Sequence, residues 1–597
     1  MERLKNSSWL TFLIILVLSF IVFGNSIAGD FVFDDTVIIR DRGDVRSPDS
    51  YLNFFVSPYH QNTPESGLYR PLTVVSYALN FAVFGESPVS FHVINILLHA
   101  LSGLLVFYLV RYLFSSDRLA WISALILIVL PIHTEAVASI VGRAELFAFA
   151  GSLGSIMLFV KEQKKLAAFL FFLALLSKET AIVTLPILWY ILWAKENVNP
   201  WQSIKRLFVF IPSAVLYVLM RFVALGKYFI SDAVVTYVEN PLRFEDFGTR
   251  IFTSLKVLAM YMERIFYPLH LSADYSFNTI KLVGNFFTTP LVILGGLILV
   301  VFFVMIFYKK TKGKELGFAA VIFILPYLLI SNLIFSVSTI MGERLMYFGS
   351  FGIVLIIAYV INKAMSLGNT YRKIFIGVTV MLVIFYGIIT IDRNRDWASN
   401  QAIFDAAHAE SEDGVITKSN VAALYMMEDR WDEAKIELEA SYNIYPDYPY
   451  TIHLMAIIAH NEGDLARAEE LYKKSIKLGT NPIDQYINLS NLYIQQDRKE
   501  ESAEILLKII EFYPTAERTA SYAYIQISIG NSQAAIDVIT KYFGESPVDA
   551  ELNAALGTAY FTIGDYLATL RYLETSKSLG ANAEQIETMI RVSKESI

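Results

Sequence analysis

From the amino terminus to about Thr390 the chain is a succession of long apolar stretches separated by short charged loops; from Asp392 onward it reads as an ordinary soluble helical protein. A helix of about 20 apolar residues crosses the hydrocarbon of a bilayer. Eleven stretches are expected to cross, near 9–28, 91–110, 119–132, 140–160, 165–177, 180–194, 207–225, 290–308, 316–336, 344–361 and 373–391. The expected fold class is therefore all-α, a polytopic helical membrane domain followed by a soluble helical tail. At 55% hydrophobic residues the 597-residue chain lies above soluble averages. A net charge of −7 gives no basic footprint for nucleic acid, and the lack of cysteine excludes disulfides, thiolate catalysis and cysteine metal sites. Arg3 and Lys5 precede the first stretch as they would in a signal peptide. Its apolar run is long, however, and residues 23–29 make only a passable cleavage site, so a retained anchor is expected.

Basic residues orient the spans, because short cytoplasmic loops favour Lys and Arg. The clusters are Arg3 and Lys5; Arg111 and Arg118; Lys161, Lys164 and Lys165; Lys195, Lys205 and Arg206; Lys309, Lys310, Lys312 and Lys314; and Lys363, Arg372 and Lys373. All fall on one side if 251–270 lies at the outer interface without crossing. The amino terminus is then cytoplasmic and the tail extracytoplasmic.

The tail carries a period of 34 residues. Small residues recur at Ala434, Ala468, Ser502, Ala535 and Thr569, and five residues before each stand Asp429, Gly463, Asp497, Gly530 and Gly564, which suit a turn between paired helices. Leu438, Tyr472, Leu506, Ile539 and Leu573 follow four residues after, large enough to fill the groove between units. This is the pattern of the tetratricopeptide repeat (TPR), an α-solenoid with a concave surface for peptides or partner helices. The expected domains are a membrane domain over 1–394, a connecting helix or linker over 395–414, five repeats over 415–583 and a terminal helix over 584–597. A spacer or oligomerisation arm is the plainer use of such repeats.

Charges cluster in loops expected on the outer side. Asp34 and Asp35 follow the first span, and Arg70 comes later in the same loop. His133, Glu135, Arg143 and Glu145 lie between the third and fourth spans, Lys178 and Glu179 between the fifth and sixth, and Glu343 and Arg344 before the tenth. Charges in or near spans usually have a partner or a task. Here they suit transfer of a sugar from a lipid-linked phosphate: Arg70, Arg143, Lys178 and Arg344 are candidates to hold the phosphate, and Asp34 or Asp35 to accept the proton of an incoming hydroxyl. The plainer alternatives are a helix cap for the aspartates, ion pairing of Arg143, Lys178 and Arg344 with Glu145, Glu179 and Glu343, and a loop-fixing role for Arg70. His92, Asn95 and His99 share one helical face, where polar groups more often join helices than bind ligands. His133 and Glu135 are candidates for sugar binding or a metal; a divalent cation, Mg or Mn, is left open. No phosphate-cradling glycine loop and no Gly-x-Ser-x-Gly occurs.

The order of motifs resembles the transmembrane-and-tetratricopeptide-repeat (TMTC-type) O-mannosyltransferases, and more widely the GT-C glycosyltransferases. The likeness is carried by Phe33-Asp34-Asp35, Tyr69-Arg70-Pro71-Leu72, His92 to His99, and Pro131-Ile132-His133-Thr134-Glu135 running to Gly142-Arg143-Ala144-Glu145. It continues through Ser177-Lys178-Glu179, Leu271 to Ser276 with Asp274 and Tyr275, Glu343-Arg344 with Tyr347, and Arg393-Asn394-Arg395-Asp396-Trp397. The resemblance implies a polyprenyl-phosphate sugar as donor, Ser or Thr hydroxyls of a protein as acceptor, inversion at the anomeric carbon, and a first-loop acid as base. It places that role on Asp34 or Asp35 without choosing. The missing cysteines and compact tail look prokaryotic, which would make the carrier undecaprenyl and the tail periplasmic, in contact with membrane lipid and envelope proteins; in a eukaryote the repeats would be lumenal in the endoplasmic reticulum. Two alternatives compete: a ligase or polymerase of lipid-linked envelope oligosaccharide, and a non-catalytic membrane scaffold whose repeats recruit partners.

Overall fold

A computed structural model describes residues 2–47, 50–60, 66–229, 235–287, 289–334, 337–479, 482–581 and 584–597. Helices dominate, and no strand occurs among the described residues beyond one isolated bridge, Phe277 to Ile280. The chain divides into two compact units, Met1–Val421 and Ala422–Ile597.

Among the described residues of the first unit, seven helices are long and apolar enough to span a bilayer: Trp9–Ala28, Pro88–Phe114, Ile140–Val160, Pro200–Tyr228, Pro290–Phe307, Arg344–Met365 and Asn369–Trp397. The chain is a membrane protein. An eighth span is made if the bent pair Asp117–Val129 and Pro131–Val137, at 56°, is one crossing. The difference from the expected eleven lies in three shorter or broken apolar stretches. The stretches 165–177 and 316–336 become helices Lys164–Ser177 and Glu315–Ile330, of 14 and 16 residues. At 1.5 Å per residue these reach only about 21 and 24 Å, short of a hydrocarbon core of about 30 Å. The stretch 180–194 breaks into Glu179–Val183, Thr184–Tyr190 and Ile191–Lys195. Apolarity was legible; helix length was not. The first stretch packs into the bundle through Ile15, Val22 and Phe23. The 251–270 stretch forms helix Phe247–Phe266, which buries Leu255, Val257, Leu258, Tyr261 and Ile265 while Phe247 and Phe266 stay exposed.

The break at Pro131 positions most of the site. Proline supplies no N–H, and the chain leaves the long helix there and runs through the short turns Pro131–His133, Thr134–Val137 and Ile140–Gly142 before a long helix resumes at Arg143. Irregular backbone at membrane depth is tolerated only where protein covers it, and every residue from 131 to 146 is buried. Its polar groups are met by side chains. The Asn95 amide donates to the carbonyls of Val137, Ser139 and Ile140 at 3.1–3.3 Å, and the Asp35 carboxylate accepts from the N–H groups of Ile140 and Val141 at 3.2 and 2.8 Å.

The second unit is a run of helical hairpins, including Pro449–Asn461 with Leu465–Leu478, Ile483–Gln495 with Lys499–Phe512, Ala516–Ser528 with Ser532–Phe543, and Ala550–Thr562 with Tyr566–Ser578. The turn residues Asp429, Gly463, Asp497, Gly530 and Gly564 all adopt left-handed backbone, φ between 57° and 82°. Glycine reaches that region freely and aspartate tolerates it better than most residues. The five small positions are fully buried, allowing the close helix approach that the period predicts.

Candidate active site

The two first-loop aspartates have different surroundings. Phe33, just before them, sits at φ +50°, a strained conformation for a bulky residue. It is held by the side-chain oxygen of Asn400, which accepts from the Phe33 N–H at 2.7 Å. Asp35 is fully buried, and its carboxylate accepts three backbone N–H groups, those of Val32, Ile140 and Val141. Burial pushes this carboxyl up to about 7 despite those three donors. Asp35 thus ties the first loop to the broken segment. Asp34 is 39% exposed, and the hydrogen bond that its carboxylate accepts comes from the Arg344 Nη2, at 3.2 Å.

Arg344 is the centre of the cluster. Its Nη1 lies 3.4 Å from Glu135 Oε1, and its own backbone N–H donates to Glu135 Oε2 at 2.8 Å. Lys178 pairs with Glu145, both buried, and Arg70 makes a bidentate pair with Glu179 at 2.7 and 3.2 Å. Burial would raise the Glu179 carboxyl, but Arg70 outweighs it and leaves Glu179 at about 2; burial also lowers Lys178 against the pull of Glu145. Arg344 lies within electrostatic reach of Arg70 and Glu145, and Lys178 within reach of Arg70 and Glu179, so these pairs form one charged assembly. Sequence reasoning missed Tyr59 and His60. The Arg70 guanidinium stands 5.3 Å from the Tyr59 ring centre, and His60 feels Asp34, Arg70, Arg42 and Arg344 while burial lowers it to about 4. The only available sign was their place in the same loop as Arg70.

Other expected site residues lie elsewhere. Arg143 is fully buried and donates to Asn95, Ser76, Asn80 and the Phe91 carbonyl, with its guanidinium 4.9 Å from the Tyr77 ring centre. The expectation that it binds phosphate is corrected: its nitrogens are all engaged by neutral acceptors, and its effect is to orient the Asn95 amide. His99 lies between the Tyr347 hydroxyl at 2.7 Å and the Ile128 carbonyl at 3.1 Å. His133 lies between the Leu127 carbonyl at 3.0 Å and the Ser350 hydroxyl at 2.6 Å. These histidines join helices. His92 is buried against Gly29, where a Cβ would stand 3.4 Å from its Nε2.

Glu343 does not pair with Arg344. Its buried carboxylate accepts from the Ser272 N–H and the Tyr275 hydroxyl, both at 2.7 Å, and faces Arg393 at 3.8 Å. Asp274 accepts from the Ser276 N–H and the Thr417 hydroxyl. Tyr275 and Asp274 therefore brace the 271–276 loop behind Arg344. Among the described residues no three His, Asp or Glu side chains gather to hold a metal. Asp34 and Glu135 share the Arg344 cation.

No family model matches the chain. Among curated proteins, protein O-mannosyl-transferase TMTC3 of Mus musculus is 26% identical over 576 residues, covering 82% of this chain and 62% of the relative. TMTC1 of Homo sapiens is 26% identical over 83% of this chain and 62% of its own length, and F38B6.6 of Caenorhabditis elegans is 24% identical over 68% and 58%. The chain is similar to the TMTC-type protein O-mannosyl-transferases. It spans less than two thirds of the length of these relatives. A solved structure, that of the TPR protein YrrB, is 13% identical with a TM-score of 0.27 over 32% of this chain and 97% of its own.

Proposed function

We propose that this protein is a membrane glycosyltransferase that moves a hexose, mannose by its relatives' names, from a polyprenyl-phosphate carrier to Ser or Thr hydroxyls of a protein on the extracytoplasmic face. The observation that carries this is the contact of Asp34 with Arg344 in a partly open cluster that also holds Arg70 and Lys178. The acceptor oxygen attacks C1 of the sugar, the C1–O bond to phosphate breaks, and its electron pair stays on the phosphate oxygen. The hydroxyl proton passes to Asp34. Arg344 faces the growing phosphate charge, with Arg70 and Lys178 flanking. Attack opposite the leaving group inverts the anomeric centre. Arg3 and Lys5 before the first span, and Arg111 and Arg118 after the second, support an outward-facing first loop. The repeats dock acceptors or envelope partners, and a groove lined by Asp537, Lys541, Tyr560, Arg571 and Tyr572 suits that use.

The test is transfer by the purified full chain from polyprenyl-phosphate mannose to Ser/Thr peptides, read by mass spectrometry. A hexose-sized addition is expected, reduced at least a hundredfold in Asp34→Asn, in line with removing a general base. In cells, an altered surface polysaccharide without peptide modification would favour the ligase, and unchanged glycosylation with lost partner recruitment on replacing Asp34 and Asp35 by Asn would favour the scaffold.

A further inference from the structure

The contacts around Arg344 are unequal. Glu135 holds it twice, through the side chain and through the Arg344 backbone N–H, and is itself 7% exposed; Asp34 holds it once, between two side chains that are 31% and 39% exposed. Asp34 keeps its place without this contact. Phe33 is fixed by Asn400, the Thr36 N–H donates to the Phe33 carbonyl, the Asp35 N–H donates to the Val32 carbonyl, and the Asp35 carboxylate is locked by three N–H groups. The Asp34–Arg344 contact can therefore open without moving either backbone.

We infer that Arg344 exchanges partners during the reaction: an arriving phosphodiester takes the Nη2 donor from Asp34, and the carboxylate so released is the base. This deepens the sugar-transfer proposal above and rests on it. While Arg344 holds it, the Asp34 carboxylate is engaged as a hydrogen-bond acceptor; once the phosphate takes the guanidinium, that oxygen is open to the incoming hydroxyl. Glu135 keeps Arg344 from following the phosphate away. The Asp34 carboxylate is thereby engaged until a donor is bound, which protects the lipid-linked sugar from premature attack. The other titratable groups facing Asp34 are Asp35, Glu135, Tyr59 and His60, and none of them replaces Arg344 as its cation.

The exchange is measurable without turnover. Farnesyl methyl phosphodiester carries the single charge of the donor linkage and does not itself titrate between pH 5 and 8. Its binding to the full chain in lipid nanodiscs is measured by calorimetry, in two buffers of different ionisation enthalpy, for the wild type and for Asp34→Asn. The wild type should take up protons on binding at the acid end of that range, and the variant should take up fewer. Because the variant no longer competes for Arg344, it should also bind the diester about two- to fivefold more tightly, the range expected for release of a partly exposed ion pair. Equal proton uptake together with equal or weaker binding in the variant would overturn the exchange and leave the sugar-transfer proposal intact. Failure of the wild type to bind the diester would overturn both.

Discussion

Two adjacent carboxylates of the same type take separate work from their surroundings. Asp35 supplies acceptors for backbone N–H groups that a broken helix leaves unmet, and Asp34 presents its charge to a cation at an opening. Asparagine at 35 would turn an N–H₂ toward donors that need an acceptor. A buried donor left without an acceptor costs about 1–3 kcal/mol, so Asp35→Asn is expected to cost about that much. Asp34→Asn gives up one partly exposed ion pair, worth about 1 kcal/mol or less. Thermal unfolding of the two variants in detergent should therefore show a clear loss for position 35 and little for 34, whatever happens to transfer. The sequence could not separate them, because two of the three donors that claim Asp35, the N–H groups of Ile140 and Val141, come from residues more than a hundred positions away.

At the level of elements, the repeats were legible down to single turns, since each unit repeats a local rule: a left-handed turn residue, a small residue and a large one at fixed spacings. The membrane unit has no such period. Its charged residues could be found one by one, but their pairing is set by the packed bundle. Lys178 meets Glu145 and Arg70 meets Glu179, whereas Arg344 meets Asp34 and Glu135 in place of its neighbour Glu343. The broken segment 131–142 brings Glu135 to Arg344, and it depends on Gly142. A Cβ there would stand 2.3 Å from the Ala136 carbonyl oxygen and 2.7 Å from its carbon, and backbone cannot yield as a side-chain tip does. Overpacking typically costs about 1–3 kcal/mol, so Gly142→Ala is expected to fall in the upper part of that range. Because the strain lies between Glu135 and Glu145, donor-phosphate affinity should fall as well, which a binding titration on the folded fraction would detect.

For the membrane unit taken whole, the balance of buried acids predicts how stability follows pH. Burial raises Asp35 and Glu343 to about 7 each, against an ordinary carboxyl value near 4. A carboxyl raised by folding binds its proton more tightly in the native state. Its contribution is therefore complete below about pH 4 and is lost as pH rises through about 7. His60 works the other way: burial lowers it to about 4 from 6.5, so its contribution is complete above 6.5 and is lost as pH falls. Each of the two raised acids should by itself lower the thermal midpoint between pH 5 and pH 8, by an amount on the order of a few degrees. Glu343→Gln isolates one contribution, because the glutamine carbonyl can still accept from Ser272 and Tyr275 while nothing at 343 ionises. Between pH 5 and pH 8 the variant should lose the part of the wild type's midpoint drop that Glu343 contributes. An unchanged slope would mean that Glu343 stays ionised against Arg393 throughout, and that the 271–276 loop is braced by a true ion pair.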